Sequence, residues 1–584
     1  MGGVTAAAAV PDADLRSCAE EMLFLLHAHG VEYLFLNPGT DSAPLQEAVA
    51  ALASRGVPAP QLVTCSFESA ALAAAHGYWQ VTRRPQAVFV HVDVGTQNLG
   101  AMVHNVLRDH AGVVVLAGKT PYGEDAAALG GRSHPIHWLQ DVPDQAGIVR
   151  SYAKWTAELT RSRDTARLIG RAVQVAGGGQ PGLAYLTVSR DVLMEPAGPR
   201  ELRRIGRFAR PLPPSAKPEA VTELAEMLVS ARRPVIVTSR LGRTLEGARA
   251  LPRLAGMAAI PVAGRPEAVN IPSDHPMGAR SAGATAALVR TADLVVVIDC
   301  DVPWVPGSVA PADGALVVQI DADPVKADMP LWTFPVDMAI TADGAAAIVQ
   351  LTDAIAAIGG VPGPLADERR QWLASVTGRD DRSTRSDLAL HRGPAPGPQV
   401  HDVVAVLNQL LQPHDIVLEE AVSNDWLVGE LLARSEPGTL YTAGGSGLGW
   451  SLGASIGVKL ARPDRRVVAL VGDGAFMFAV PTAALCLAAE AQAPFTAVVL
   501  NNDGYRASRQ PVEALFPNGA WAARGEVAGT RFTRPPAFAA LATACGAHGE
   551  RVTDAGRLPA AIEAALRVTD QGQAAVVDVA LAGQ

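Results

Sequence analysis

The chain has 584 residues, 49% of them hydrophobic and 18% charged, which suffices for large cores and leads us to expect about three domains. Its 49 Lys and Arg against 58 Asp and Glu leave a net charge of −9, which argues against nucleic acid or an anionic membrane as the main partner. Cys18, Cys65, Cys300, Cys486 and Cys545 lack paired or metal-like spacing. No run reaches transmembrane length without a charge or turn signal, and the first residues carry no signal-peptide pattern. A soluble cytoplasmic protein with no membrane partner is therefore expected.

In chain order, an amphipathic helix over 15–30 closes at Gly30, and a strand over 31–36 runs into Asn37-Pro38-Gly39-Thr40-Asp41. Short apolar runs over 61–65, 87–92, 113–117 and 183–188 alternate with helical patterns. That grammar predicts a mostly parallel sheet covered by helices. Glu68 falls where a strand meets an Ala-rich helix. His91 ends the run over 87–92, with Gly95-Thr96-Gln97-Asn98 expected in the loop beyond. The Pro-rich stretch 207–220 reads as a linker, and the Arg- and Pro-rich stretch 377–399 as a second. Between them, strands over 234–239, 294–300 and 315–321 form another α/β segment without a GxGxxG dinucleotide fingerprint. The expected class is α/β, in three domains over 12–190, 215–355 and 396–584, each a mostly parallel sheet flanked by helices.

The last segment carries the most specific chemistry. Strand 467–471 stops at Gly472-Asp473-Gly474, a helix over 481–491 follows, and strand 495–500 ends on Asn501-Asn502-Asp503-Gly504. This is a βαβ unit, so Asp473 and Asn502 lie at the carboxyl ends of neighbouring parallel strands, where open α/β sheets bind ligands. A carboxylate, a carboxamide and the Gly504 carbonyl are hard oxygen donors of the kind Mg²⁺ takes alongside phosphates and water. Gly474 would let a diphosphate approach backbone at a helix start. By itself GDG is an ordinary turn, and Glu68 an ordinary first-turn acid.

GDG followed by twenty-six residues and NN resembles the thiamine-diphosphate motif of the family that includes acetohydroxyacid synthase, benzoylformate decarboxylase and benzaldehyde lyase. The resemblance spans essentially Leu15 to Leu581 and implies pyrimidine-binding, central Rossmann-like and diphosphate-binding domains. It implies thiamine diphosphate and Mg²⁺ as cofactors, with Asp473, Asn502 and Gly504 on the metal. Gly472, Gly474, Ala475, Tyr505, Asn37, Pro38 and Gly39 would contact the cofactor. In GGSGLGWSLGASIG (444–457), Gly447 would contact it too, and Leu448 matches the apolar wedge between the two cofactor rings. Glu68 would hydrogen-bond the aminopyrimidine ring and promote its activation.

VFVHVDVGTQN and NPGT resemble benzoylformate decarboxylase segments, which makes His91 a proton-transfer residue and puts Thr40 and Gln97 in the substrate pocket. That enzyme's second histidine has no counterpart in IDCDVPWVPG, where Trp304 is expected to shape the pocket instead. Lys119 stands where acetohydroxyacid synthases have Gln, and His104, His134 and His137 read as structural. The implied reaction makes or breaks a C–C bond next to a carbonyl, on a 2-oxo acid as decarboxylase or carboligase, in a homodimer or homotetramer. A lyase acting on a 2-hydroxyketone or aldehyde, a non-catalytic cofactor scaffold, and FAD in the central domain stay open.

Overall fold

The computed structural model describes residues 13–125, 127–199, 208–378 and 397–582. Its first sheet contains β1 (Tyr33–Leu36), β2 (Gln61–Thr64), β3 (Gln86–Val90), β4 (Val113–Lys119), β5 (Ala153–Leu159) and β6 (Leu183–Ser189). The strand order is β2-β1-β3-β4-β6-β5, and every pairing is parallel. The second sheet, β7 (Pro234–Val237), β8 (Val262–Ala263), β9 (Leu294–Ile298), β10 (Leu316–Asp321) and β11 (Met338–Thr341), has the order β11-β10-β9-β7-β8. The third holds β12 (Ile416–Glu420), β13 (Leu440–Thr442), β14 (Val467–Gly472), β15 (Thr496–Asn501), β16 (His548–Val552) and β17 (Ala575–Ala580), in the order β13-β12-β14-β15-β17-β16. Position for position, the third order repeats the first. The interior strands are buried on both faces, which is why they read as unbroken Val, Ile, Leu and Ala runs. Among the described residues no helix is long and apolar enough to cross a membrane.

Six strands are absent from the sequence reading, β5, β8, β11, β12, β13 and β16, and none of them carries a long apolar run. β5 and β16 are edge strands, half exposed and carrying charge, and β8 has two residues. β12 (IVLEE) ends in two glutamates that the fold buries. At the end of β3 the expected strand stops two residues early, and Val92–Asn98 forms a helix rather than a loop. Gly95, two Val and a terminal Asn make this a weak helix by propensity. The Thr96 hydroxyl donates to the Val92 carbonyl at 2.7 Å, and packing against β4 holds the rest. Residues 208–217 have no regular structure, but the first linker's end is helical, because Pro218 opens the helix Pro218–Ser230. Most of the second linker lies outside the described residues.

Helices Glu68–Thr82 and Trp450–Ala461 occupy equivalent places in the first and third sheets and pack directly on each other. They meet backbone to backbone: a Cβ at Gly457 would sit 1.8 Å from the Ala74 carbonyl oxygen. Nearby, the Trp450 indole donates to His76 Nδ1 at 3.1 Å, and His76 Nε2 meets Asp109 at 2.6 Å. Asp109 also pairs with Arg243 of the central domain, while Gln80 donates to Asp109 at 2.9 Å and to the Thr442 carbonyl at 2.8 Å. Burial alone would raise the Asp109 carboxyl, but Arg243 and His76 overcome it and hold it at about 2. Arg243 is shared with Glu267 at 2.8 Å, so Asp109 is one of two carboxylates that hold it. One buried cluster thus fastens all three domains.

Candidate active site

Two groups of side chains gather at the carboxyl edges of the first and third sheets. At the first edge, Asn37 follows β1, is buried, and donates from Nδ2 to the Cys65 carbonyl at 3.1 Å; its Oδ1 is buried without a partner. Pro38 and Thr40 are exposed on either side of half-buried Gly39. Glu68 opens its helix and accepts from Asn98 Nδ2 at 3.2 Å, with Gly95 packed against its other oxygen. His91 follows β3 and places Nδ1 2.6 Å from Asp41 Oδ1. That contact holds the imidazole above the ordinary histidine range, against the opposing effect of burial. Gln97 is exposed one helical turn beyond Asp93.

At the third edge, Asp473 is buried where β14 enters the helix Asp473–Phe478. Its two oxygens accept from the Gly474 and Gly504 amides, each at 2.9 Å. Burial raises its carboxyl to about 6, and the backbone amides oppose that rise. The structure separates the two asparagines. Asn501 is committed, donating to Asp578 at 2.8 Å and accepting from the Asp503 amide at 3.0 Å. The Asn502 side chain makes no hydrogen bond among the described residues, and Asp503 Oδ1 beside it is buried without a partner. Gly504 must be glycine, since a Cβ there would lie 2.2 Å from the Thr530 carbonyl oxygen. The Tyr505 amide donates to that same carbonyl at 2.7 Å, and its ring stands edge-on to Phe532 at 5.0 Å and over Gly474. The free carboxamide, the carboxylate and the Gly504 backbone form a hard-oxygen donor set suited to Mg²⁺. Gly472 and the buried Ala475 flank it.

The glycine-rich segment is held from both sides. Gly447 exchanges two hydrogen bonds with Asn105 of the first domain, each 2.8 Å. The amides of Gly449, Trp450 and Ser451 all donate to the Glu420 carboxylate, at 2.8, 3.0 and 2.8 Å, which caps the helix. Leu448 lines a cavity of about 810 Å³ that also takes in Trp304, Trp426 and Val302. Trp304 is steadied by an edge-on contact with Phe334 at 5.6 Å. His104, read as structural, reaches this cavity and meets the Ser446 hydroxyl at 3.2 Å.

Asp41, Asn105, Glu420 and Trp426 escaped the sequence reading. Glu420 ends β12 and Asp41 lies in the turn after β1, and this place at a sheet edge is the one signal that could have marked them. Within the chain, no hydrogen bond, ion pair or ring contact among the described residues joins Glu68 or His91 to Asp473, Asn502 or Tyr505.

Three family models match in series: the thiamine pyrophosphate enzyme N-terminal binding domain over residues 16–148, the central domain over 221–351 and the C-terminal binding domain over 423–579. The chain belongs to the thiamine-diphosphate-dependent enzyme family. A benzoylformate decarboxylase of Pseudomonas aeruginosa is 27% identical over 506 residues, 83% of this chain and 86% of that one. The acetolactate synthase isozyme 2 large subunit of Escherichia coli is 25% identical over 570 residues, covering 94% and 93%. Among solved structures, benzoylformate decarboxylase from Polynucleobacter necessarius superposes with a TM-score of 0.75 at 21% identity, covering 97% of this chain and 99% of that one. The thiamine diphosphate-dependent 4-hydroxybenzoylformate decarboxylase of Rhodococcus jostii gives 0.73 at 23%, covering 96% and 99%. The family models establish the family, and the structural likenesses the three-domain α/β fold.

Proposed function

We propose that the protein is a cytoplasmic, Mg²⁺-dependent enzyme acting on a 2-oxo acid as decarboxylase or carboligase, with domains over 12–190, 215–355 and 396–584. The observation that carries this reading is the pairing at adjacent strand ends of buried Asp473 with an uncommitted Asn502 and the backbone of Gly504, while Asn501 is tied up elsewhere. Thiamine diphosphate, when bound, supplies an electron sink for a carbanion next to a carbonyl. Asp473, Asn502 and the Gly504 carbonyl would hold the cation. Gly472, Gly474, Ala475, Tyr505, Gly447, Leu448, Asn37, Pro38 and Gly39 would contact the cofactor. Glu68 would hydrogen-bond its aminopyrimidine ring through the carboxyl. His91 moves a proton at Nε2, the nitrogen not engaged by Asp41. Thr40, Gln97 and Trp304 bound the substrate.

Within one chain no hydrogen bond, ion pair or ring contact among the described residues links Glu68 or His91 to Asp473, Asn502 or Tyr505. A complete site therefore joins the first sheet of one copy to the third sheet of another, in a homodimer or homotetramer. The five free thiols suit a reducing compartment. At the carboxyl edge of the central sheet Arg240 pairs with Asp301, and Lys326 with Asp301 at 2.8 Å and with Asp321 at 2.6 Å, while Ser239, Gly264 and Cys300 line the cavity of about 810 Å³; flavin forms no part of the proposal. The test is a panel of 2-oxo acids and 2-hydroxyketones given to the purified protein with Mg²⁺ and thiamine diphosphate. Release of CO₂ from at least one 2-oxo acid is expected. Cleavage of hydroxyketones alone would replace the decarboxylase reading by a lyase of benzaldehyde lyase type, and cofactor binding without turnover of either class would leave a scaffold.

A further inference from the structure

Asp41 sits in the turn after β1 with its side chain 5% exposed, and a buried carboxylate needs a partner. Among the described residues its one charged partner is His91, 2.6 Å from Oδ1 to Nδ1. Its second oxygen accepts from the Val92 amide at 3.2 Å, so the carboxylate grips the residue after the histidine as well. Two strand ends give up side chains to make room. A Cβ at Gly39 would sit 2.2 Å from His91 Nδ1, and one at Gly118, near the end of β4, would sit 1.4 Å from Asp41 Oδ2. The histidine ring itself is 24% exposed, so its buried side faces Asp41 and the remainder opens to the sheet edge.

We propose that Asp41 is the positioning residue of His91. It accepts a hydrogen bond from Nδ1–H, fixes that tautomer and presents Nε2 to the reacting group. This rests on the reading of His91 as the proton source. In the step concerned, the Nε2–H bond breaks and its proton passes to the developing carbanion or alkoxide. The imidazole is left neutral with Nδ1–H still on Asp41, and water restores the proton at Nε2. The orienting carboxylate stabilises the imidazolium without itself being protonated. The charged and titratable groups facing the ring are Asp41 from the turn after β1, Asp93 from the helix Val92–Asn98 and His137 from the segment after β4, where Gln140 also hydrogen-bonds the ring. Arg190 reaches only the Thr40, Gly130 and Gly131 carbonyls and Ser133 nearby, and Lys119 is tied to Glu158 at 2.5 Å. Asp41 is the strongest influence raising His91.

The test is ¹⁵N NMR of the histidine-labelled full-length protein without substrate, with His91 assigned among the 13 histidines by its loss in His91→Phe. In the wild type, His91 should titrate above the ordinary value of about 6.5, and its neutral form should carry the proton on Nδ1. Asp41→Asn should lower that midpoint and mix the tautomers. In turnover, kcat should fall by about tenfold or more with KM little changed, less than the roughly 10²–10⁴-fold loss expected for deleting the acid. The basic limb of the rate profile should move to lower pH, because a weaker base loses its proton sooner. A merely structural Asp41 would lower the melting temperature and leave the titration in place. A wild-type His91 with its neutral proton on Nε2 overturns the proposal without any variant, as does an unmoved titration in folded Asp41→Asn. If the titration behaves as expected while His91→Phe keeps full turnover, the pairing stands and the proton-source reading fails.

Discussion

The first and third sheets share one strand order, and their helices Glu68–Thr82 and Trp450–Ala461 pack as counterparts, yet their carboxyl edges hold different chemistry. Where β3 leads into a helix through His91, β14 leads into one through Asp473. Where the helix of the first sheet opens on a carboxyl, Glu68, bonded to Asn98, that of the third opens on Trp450, with its amides absorbed by Glu420. Position is thus supplied by topology and chemistry by single residues, the general relation between folds and sites. The edges also share a mechanical trait. Val92 after β3, Val422 after β12 and Val480 beyond the Asp473 helix all have positive φ, of 34°, 43° and 47°. A β-branched residue held there costs about 1–3 kcal/mol and persists where neighbouring structure over-determines it, commonly at ligand edges.

The sharpest way to break the comparison is Asp473→Ala. Calorimetry should show Mg²⁺-dependent binding of thiamine diphosphate lost while the fold and the His91 titration are kept, because the ligand set belongs to one edge alone. Binding as tight as wild type would remove that edge's assignment. Glu68→Gln should do the reverse. The cofactor stays bound, but exchange of its C2 proton in deuterated water slows by orders of magnitude, since an amide cannot pass a proton to the ring. An unchanged rate by NMR would leave the first edge without its activating role.

The smallest effect concerns a carboxyl that only the third sheet buries at this place. β1 ends in apolar residues, whereas β12 ends in Glu419 and Glu420. Burial pushes Glu419 up to about 7, with the Ala421 amide opposing. A carboxyl raised on folding is favourable when protonated, so its contribution is intact below its unfolded pKa and is lost as pH rises toward about 7. Glu419→Gln should therefore be more stable than wild type at pH 8, by about 1–3 kcal/mol in denaturant unfolding, and equal to it at pH 4. Equal stability at both would show that the site relaxes and admits water.

The parallel sheets, the glycine-rich turn and the Gly472-Asp473-Gly474 to Asn502 unit were legible because buried parallel strands are written as apolar runs and their ends as polar punctuation. Asn105 was not. It is an ordinary helical residue whose meaning is the Gly447 backbone 342 positions away. Asp41 stood in plain view after Gly39-Thr40, but its value depends on the missing side chain at Gly118 on another strand. β5 and β16 were hidden by half-exposed, charged edges, and the helix Val92–Asn98 by propensity that packing overrides.

The backbone contact of Gly457 on Ala74 has a genetic consequence. It holds the helices of the first and third sheets of one chain in a fixed relation. If a working centre takes one edge from each of two copies, two dead alleles need not make a dead protein. Co-expressed Glu68→Gln and Asp473→Ala subunits would assemble mixed pairs carrying one doubly defective centre and one wholly intact. Activity would return between chains that have none alone.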